Sequence, residues 1–527
     1  IKKLFEARGL LTLLLCISTL SLSAQTITVR GTVTDRNNEP LTGATVVVEG
    51  STSQGTVTDI DGNYTLAGVN SKASLEFSYV GMKVQKIAVN GQTTINVTLE
   101  EDSEVLGEVV VTALGMKRDK KALGYAIQEV KGDDIVSARE NNIANALSGK
   151  ISGLQVIKSS NGPGASSKIV IRGNNSVTNL NQPLIVVDGV PIDNFTGADN
   201  NDYWNPTADL GNGLGDINPE DIESMTVLKG GSAAALYGSR AGNGVILITT
   251  KSGRKAEGLG ITISSSVSTE RAFIQPKLQN TFGQGSNGAY NEESGSSWGA
   301  KIEGQEYTKW DGSKGTMQAY DNVASYFNKP GLNLTENISF SQQYNNVSVF
   351  TSLNRLDDKS RIPGANLSRT NLTARAISKF GNDKWTLDTK VQYIKTNAEN
   401  RPVSGNNNRN PFLTIYNLPR SLDIRDFSNP LDEVGKMVWY VKSSAMNPYW
   451  LSKYQLNHDI RERVIMLGLL KYEFTDWLNA EIKGGTDMYF TEFENKTYGK
   501  SPLTATGRYG FGEEKFFENN FSILLSA

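Results

Sequence analysis

Residues able to carry out chemistry are scarce in this chain. Its 527 residues include one histidine, His458, and one cysteine, Cys16. Zinc sites draw on several such ligands, and a nucleophile activated by imidazole would depend on His458 alone. That residue stands in a polar stretch beside Asp459, where a surface loop or strand end is the expectation. No nucleophile has a matching base, so the sequence points to no catalytic residue, no metal and no cofactor. Asp59-Ile60-Asp61-Gly62-Asn63 begins like a calcium loop. A loop of that kind closes on Glu at its twelfth position, and the twelfth residue from Asp59 is Asn70. A tight turn is expected instead, with Asp and Gly supplying local hydrogen bonds and positive φ.

Two stretches have residue types suited to binding. Glu108-Val109-Val110-Val111-Thr112-Ala113 lies between the acidic Glu100-Glu101-Asp102-Ser103-Glu104 and the basic Lys117-Arg118-Asp119-Lys120-Lys121. Its β-branched run favours a strand and has no obvious partner in the chain. Such a segment can add to the sheet edge of another protein through main-chain hydrogen bonds; one more strand of the preceding domain is the alternative. The second stretch, 193–216, is rich in Asn, Asp and Gly and contains Asn194, Phe195, Tyr203 and Trp204. Long loops in compact domains are often functional. Aromatic rings there suit sugar faces and amides suit hydroxyl or peptide groups; a solvated loop with its own aromatic core is the other reading.

The totals limit what can position these residues. Net charge is -2 and the pI about 5.9, without the basic excess of a nucleic-acid binder. The hydrophobic fraction is 38% and the mean hydropathy -0.35, which excludes a bundle of apolar transmembrane helices. A transmembrane β-barrel alternates lipid-facing and lumen-facing residues and keeps mean hydropathy low.

Along the chain, Lys2, Lys3 and Arg8 precede an apolar run at 10–22 that closes with Ser21-Leu22-Ser23-Ala24. The run is short for a span of about 20 residues. It reads as a signal peptide, 1–24, cut after Ala24, which would leave no cysteine. The first residue is Ile1, so an incomplete start is expected. Over 26–100, short alternating strands (the first with Ile27, Val29 and Val33 on one side) are separated by turns and predict a β-sandwich. A linker follows at 101–119. Over 120–253, strands and helices mix in an α/β unit. Helices are expected at 141–150, from 217–223 and at 232–237, and strands at 168–173, 183–192 and 244–251. Arg172, Glu220, Glu223 and Lys229 are candidates for ion pairs within this unit or with its surroundings.

From 257 to 527 the alternation returns in longer runs. Trp385, Leu387, Thr389, Val391 and Tyr393 share one face; Thr386, Asp388, Lys390 and Gln392 share the other. Runs of about 9–11 residues let tilted strands cross a bilayer. Trp385, Tyr393, Tyr472, Phe474 and Tyr489 are expected as an interfacial girdle, and 281–321 and 397–410 as outer loops. Some eight strands are expected, and a barrel enclosing a plug of this size needs around 22, so a truncated sequence is the expectation.

Three groups of motifs carry a resemblance. Gly31-Thr32-Val33-Thr34-Asp35, Pro40-Leu41-Thr42-Gly43-Ala44 and Thr58-Asp59-Ile60-Asp61-Gly62-Asn63-Tyr64 resemble the carboxypeptidase-regulatory-like (transthyretin-like) domain, a non-catalytic accessory. The run 108–130, with Thr112-Ala113-Leu114-Gly115, Lys120-Lys121-Ala122-Leu123-Gly124-Tyr125 and Gln128-Glu129-Val130, resembles the signature of SusC/RagA-type TonB-dependent outer-membrane transporters. Ile171-Arg172-Gly173, Val187-Asp188-Gly189-Val190-Pro191, Val227-Leu228-Lys229-Gly230, Ala235-Leu236-Tyr237-Gly238 and Asn243-Gly244-Val245-Ile246 are similar to the plugs of TonB-dependent receptors. The resemblance implies a multidomain protein: sandwich, α/β plug, and the start of a large antiparallel transmembrane barrel. It implies that Glu108, Val109, Val110, Val111, Thr112 and Ala113 contact TonB, working with ExbB/ExbD. It also implies a SusD-like surface lipoprotein as partner, outer-membrane lipid around the barrel, the N-terminal domain in the periplasm, and a glycan or peptide as cargo for active import. A surface binding or adhesion protein without transport is the alternative.

Overall fold

A computed structural model describes residues 26–36, 38–50, 54–80, 82–100, 109–111, 117–119, 127–138, 140–159, 161–177, 181–195, 204, 208–230, 237–256, 258–407, 410–441 and 446–527. The expected signal peptide, most of the linker and all but Tyr237 of the helix expected at 232–237 lie outside these residues. Two compact units result.

The first unit is built on seven short strands: β1 (Thr26–Thr34), β2 (Thr45–Val48), β3 (Gly55–Val57), β4 (Asn63–Asn70), β5 (Ser74–Ser78), β6 (Gln85–Ala88) and β7 (Val97–Thr98). They form two sheets, ordered β4-β1-β7 and β3-β2-β5-β6. Alternation on β1 buries Val29 and Val33, which meet Val46, Leu66, Leu75, Phe77 and Leu99 in one core. Gly31 lies between them because β1 runs against the chain before β7. A Cβ there would stand 1.8 Å from the Ile95 carbonyl oxygen, the oxygen to which the Tyr64 hydroxyl donates at 2.9 Å. At the turn, Asp59 accepts from the amides of Asp61 and Asn63 and Gly62 takes φ +73°. The carboxylate is therefore used by the turn.

β8 (Val109–Val111) and β9 (Lys117–Asp119) form a two-stranded ribbon. The expectation that the valine run has no partner in its own chain is therefore corrected.

The second unit holds plug and wall. The plug sheet contains β10 (Ile127–Lys131), β13 (Leu184–Val187), β14 (Val190–Ile192), β15 (Ile222–Leu228) and β16 (Val245–Thr250), in the order β10-β15-β16-β13-β14. β11 (Leu154–Lys158) and β12 (Ser167–Ile171) form a separate hairpin. Pairing is parallel only between β13 and β16. The stretch 183–192 folds back at Asp188-Gly189, with φ of +50° and +85°, the backbone that a two-residue hairpin turn requires. The helix expected at 141–150 is shorter, Ile143–Ala146, capped by the Asn142 side chain. The helix expected from 217–223 is a single tight turn, Pro219–Asp221, capped by Asn218 and followed directly by β15. β15 is buried on both faces, and such a strand lacks the alternation that identifies one in sequence.

The wall is one antiparallel sheet of eight strands in chain order. They are β17 (Ile261–Glu270), then, after two small hairpins formed by β18 (Gly285–Ser286) with β19 (Ala289–Tyr290) and β20 (Glu306–Thr308) with β21 (Lys314–Thr316), the long strands. These are β22 (Gly331–Tyr344), β23 (Val347–Lys359), β24 (Asn366–Phe380), β25 (Trp385–Glu399), β26 (Gln455–Thr475), β27 (Leu478–Thr497) and β28 (Arg508–Ser526). On β25, Asp388, Lys390, Gln392 and Ile394 are buried against the plug, while Leu387 and Val391 are exposed. Ile394 and Ile465 belong to the plug's own hydrophobic core. At one end the strands are joined by Asn345-Asn346, Gly381-Asn382-Asp383-Lys384 and Asp476-Trp477; at the other the connections include 271–330 and 400–454.

Three expectations about the wall change. Trp385, Tyr472 and Phe474 cluster near the short-turn end, with centroids 4.5 and 4.8 Å apart, but Tyr489 turns inward and its hydroxyl donates to Asp193 at 2.9 Å. Tyr393 stands mid-strand and donates to Glu462. Residues 281–321 are not open loop: together with 411–454 they fold around Val323, Tyr326, Phe427, Trp439, Tyr440 and Trp450 into a lobe with its own apolar core. Asn397 belongs to β25.

Candidate functional site

The joint between plug and wall is where the charges converge. Asp188, at the β13–β14 turn, meets Lys390 on β25 and Arg375 on β24, and Arg375 also pairs with Asp388. All four side chains are nearly closed to solvent. Burial alone would raise the Asp188 carboxyl; the Lys390 and Arg375 cations outweigh it and hold it down at about 2. Alternation makes this possible, because β24 and β25 point every second residue inward.

A second cluster lies toward the long-connection end. Arg463, fully buried on β26, forms a paired contact with Asp487 on β27 at 2.8 and 2.7 Å. Arg463 and Arg461 both reach Asp216 of the plug, at 3.2 and 2.9 Å. Burial pushes the Asp216 carboxyl up, but Arg461, Arg463 and Arg369 together leave it lowered. The guanidiniums also take plug carbonyls: Arg461 bonds Leu210, Arg463 bonds Gly213 and Asp193, and Arg369 bonds Gly215 and Asn141.

Two further plug carboxylates face the wall through neutral partners. Asp221 accepts from the Thr373 hydroxyl at 2.7 Å and from Asn218 at 3.0 Å; burial dominates and raises it. Asp193 is raised by burial too, partly offset by Tyr489 and Arg463. Removing one partner of a buried pair leaves a stranded charge, so the joint is stable when seated and sensitive to any shift.

Above this joint, at the long-connection end, lies a cavity of about 450 Å³. Its floor is the plug stretch from Ser159 to Ala165 with Asn141, Asn142 and Asn145; its sides are Glu270, Asp358 and Arg361 of the wall and Ser404, Asn410 and Phe412 of the lobe. Amides, hydroxyls and carboxylates share the lining about evenly with apolar groups, among them Pro163, Ile362, Pro402, Val403 and a single aromatic ring.

The residues expected from sequence occupy different places. Val109, Val110 and Val111 are in the β8–β9 ribbon; Glu108, Thr112 and Ala113 lie outside the described residues. Asn194 and Phe195 are engaged in the joint rather than held out in a loop. Asn194 accepts from the Leu214 amide at 2.9 Å, and Arg461 lies 4.2 Å over the Phe195 ring, which packs 5.0 Å from Tyr489. Trp204 is exposed, and Tyr203 lies outside the described residues. Of the four ion-pair candidates, Glu223 pairs with Arg254 and Glu220 accepts from Ser264 on β17 at 3.2 Å. Lys229 donates to Gln128 and Ser152, both at 3.0 Å; burial, with Arg172 nearby, lowers its pKa. The convergence of aspartates 188 and 216 with the cations 369, 375, 390, 461 and 463 is not legible from sequence alone. The available signal was charge at alternate positions of strands whose other face is apolar, as in Arg369-Thr370-Asn371-Leu372-Thr373-Ala374-Arg375.

Comparison with known proteins agrees with this geometry. Residues 119–245 match the TonB-dependent Receptor Plug Domain, and residues 29–111 match the CarboxypepD_reg-like domain. The chain is 33% identical over 381 residues to the TonB-dependent receptor SusC of Bacteroides thetaiotaomicron, covering 72% of this chain and 34% of that protein. It is 29% identical over 533 residues to the TonB-dependent receptor P3 of Formosa agariphila, covering 97% of this chain and 47% of that protein. The chain thus spans less than half the length of these relatives. Among solved structures, that of the RagAB peptide transporter superposes with a TM-score of 0.57 at 21% identity, over 76% of this chain and 45% of that one, a likeness of fold. These relatives are receptors and transporters rather than enzymes. With its plug, its accessory sandwich and its curved antiparallel wall, the chain belongs to the SusC/RagA-type TonB-dependent receptors.

Proposed function

We propose that this chain works in the active import of a nutrient, a glycan or a peptide, across the outer membrane, with TonB displacing or remodelling the plug. The observation that carries the reading is the joint: a plug with its own sheet held against a β-wall by buried Asp–Arg and Asp–Lys contacts. A plug meant to stay in place would be better served by a dry apolar interface, since buried ion pairs add little net stability. The outer face of the wall is apolar at Leu372, Val391, Met466, Leu470 and Ile482, as lipid requires. Outer-membrane barrels keep short turns on the periplasmic side and long connections outside. That orientation puts the lobe and the 450 Å³ cavity outside; the N-terminal sandwich is assigned to the periplasm on the family resemblance.

TonB, powered with ExbB/ExbD, engages the segment from Glu108 to Ala113. The names of the relatives, a TonB-dependent receptor and a peptide transporter, support both coupling and import. A SusD-like surface lipoprotein is the partner at the outer rim, and the cavity replaces the loop at Asn194, Phe195, Tyr203 and Trp204 as the preferred cargo site. Deleting residues 109–113 in the full-length transporter tests the reading. Uptake of the nutrient should stop while cell-surface binding persists. Unchanged uptake would reject energy coupling through this segment, and binding with no uptake in either form would favour an adhesin.

A further inference from the structure

Beneath the cavity floor, one plug segment touches both residues of that floor, Asn142 and Gly164, and the cations of the wall. Asp209 opens it. Its carboxylate, buried at 1% exposure, accepts from the Ser166 amide at 3.1 Å and the Ser166 hydroxyl at 2.9 Å, holding the end of the loop that floors the cavity. The same carboxylate accepts from the Gly211 amide at 2.9 Å. Gly211 and Gly164 leave no room between them: a Cβ on Gly211 would stand 2.7 Å from the Gly164 carbonyl oxygen. Seven residues beyond Asp209 comes Asp216, in contact with Arg461 and Arg463, and the intervening carbonyls of Leu210 and Gly213 accept from the same two guanidiniums.

We infer that segment 209–216 conveys occupancy of the cavity to the plug–wall joint, with Asp209 as the positioning residue that couples them. A solute pressing on the loop at 159–165 moves Ser166. Ser166 then draws on a carboxylate whose other bond fixes the start of the arginine-bound strap. Packed contacts of this kind do not deform smoothly, so a small shift at one end favours a second arrangement at the other. Asn212 supports the same link, because its side chain accepts from Asn142 of the cavity floor at 2.7 Å. By linkage, loosening the joint must also alter what the cavity holds.

The inference rests on reading the plug as displaceable, but its test needs no TonB, so the two can fail separately. In the purified full-length chain, Ser404→Cys, on the lobe side of the cavity, is labelled with fluorescein maleimide as the occupant. Hydrogen exchange of amides 210–216 is then followed with and without label. Occupancy should speed exchange by about fivefold or more, the lower range for coupled sites. In Asp209→Asn the amide oxygen can keep the Ser166 and Gly211 amides, which share one carboxylate oxygen, but no second oxygen remains for the Ser166 hydroxyl; the unlabelled rate should stay close to the parent and the response to label should fall. A merely structural role would shift labelled and unlabelled rates together. If Asp209→Asn fails to seat its plug, Ser166→Ala, which keeps the backbone bond, should give a reduced response. No response in the parent, or an undiminished response in the variants, overturns the inference.

Discussion

Asp188→Asn is the sharpest perturbation of the joint. The carboxylate sits at about 2 instead of its ordinary 3.8, a preference for the ionised form of about 2.5 kcal/mol. Its loss removes that term and strands Lys390, whose side chain is 1% exposed. Arg375 keeps Asp388 at 2.7 Å. Stranding one member of a buried pair costs about 3–5 kcal/mol, so opening of this part of the plug should rise by roughly a hundredfold or more. The assay is native-state hydrogen exchange of the β13 and β14 amides in the full-length protein, read across a urea series. Asp188→Asn should lower protection of these amides while β22 and β23 of the wall remain unchanged. Adding Lys390→Met should restore most of it, because replacing both partners of a buried pair is often close to neutral. The reasoning is refuted if Asp188→Asn leaves protection intact, or if the double variant is worse than the two single effects added together.

Acidity should act on the same joint in two directions. Asp193 and Asp221 are raised by burial, so seating should strengthen as pH falls from neutral and these groups take up protons. Asp188 and Asp216 are lowered, so their contribution, complete above the ordinary value of 3.8, should fade as pH drops from there toward 2. Urea midpoints of plug release measured against pH should therefore pass through a maximum, and Asp221→Asn should flatten its neutral side; a monotonic profile would exclude opposed groups. In the sandwich, Gly31→Ala drives a methyl against the Ile95 carbonyl and should destabilise by about 3 kcal/mol or more. Gly43→Ala, with φ +81° but open space, should cost only about 1–2 kcal/mol. Proteolysis of the sandwich in the full-length chain separates the two, and equal sensitivity would mean that the close approach at Gly31 does not matter.

What the sequence discloses follows which surfaces are half-buried. β25 alternates because one face meets lipid or solvent and the other meets the plug, so its register is readable from Leu387, Asp388, Thr389 and Lys390. β15 has no such contrast, and its first residues, Ile222 and Glu223, fall within the helix expected from 217–223. On β27 both faces carry aromatics, Phe490 outward and Tyr489 inward beside Asp487, so periodicity identifies the strand without telling its sides apart. The lobe is built from helices of one or two turns whose apolar residues are scattered through 411–454. Its core is assembled from two connections far apart in the chain, which no local pattern can reveal. The joint is hidden for the same reason: Asp188 falls inside the single strand expected at 183–192, and Lys390 lies 202 positions away.

The inward cations also bear on how such a molecule can be assembled. A sheet face carrying Arg375, Lys390, Arg461 and Arg463 has too few acids of its own, with only Asp388 and Asp487 in contact with these cations. Until the plug supplies Asp188 and Asp216, that face is stable only in contact with water. Curling of the sheet over a bare interior would strand charge, whereas curling over a folded plug neutralises it strand by strand. Plug and housing therefore balance charge only as a pair, with the acids of one seated among the cations of the other.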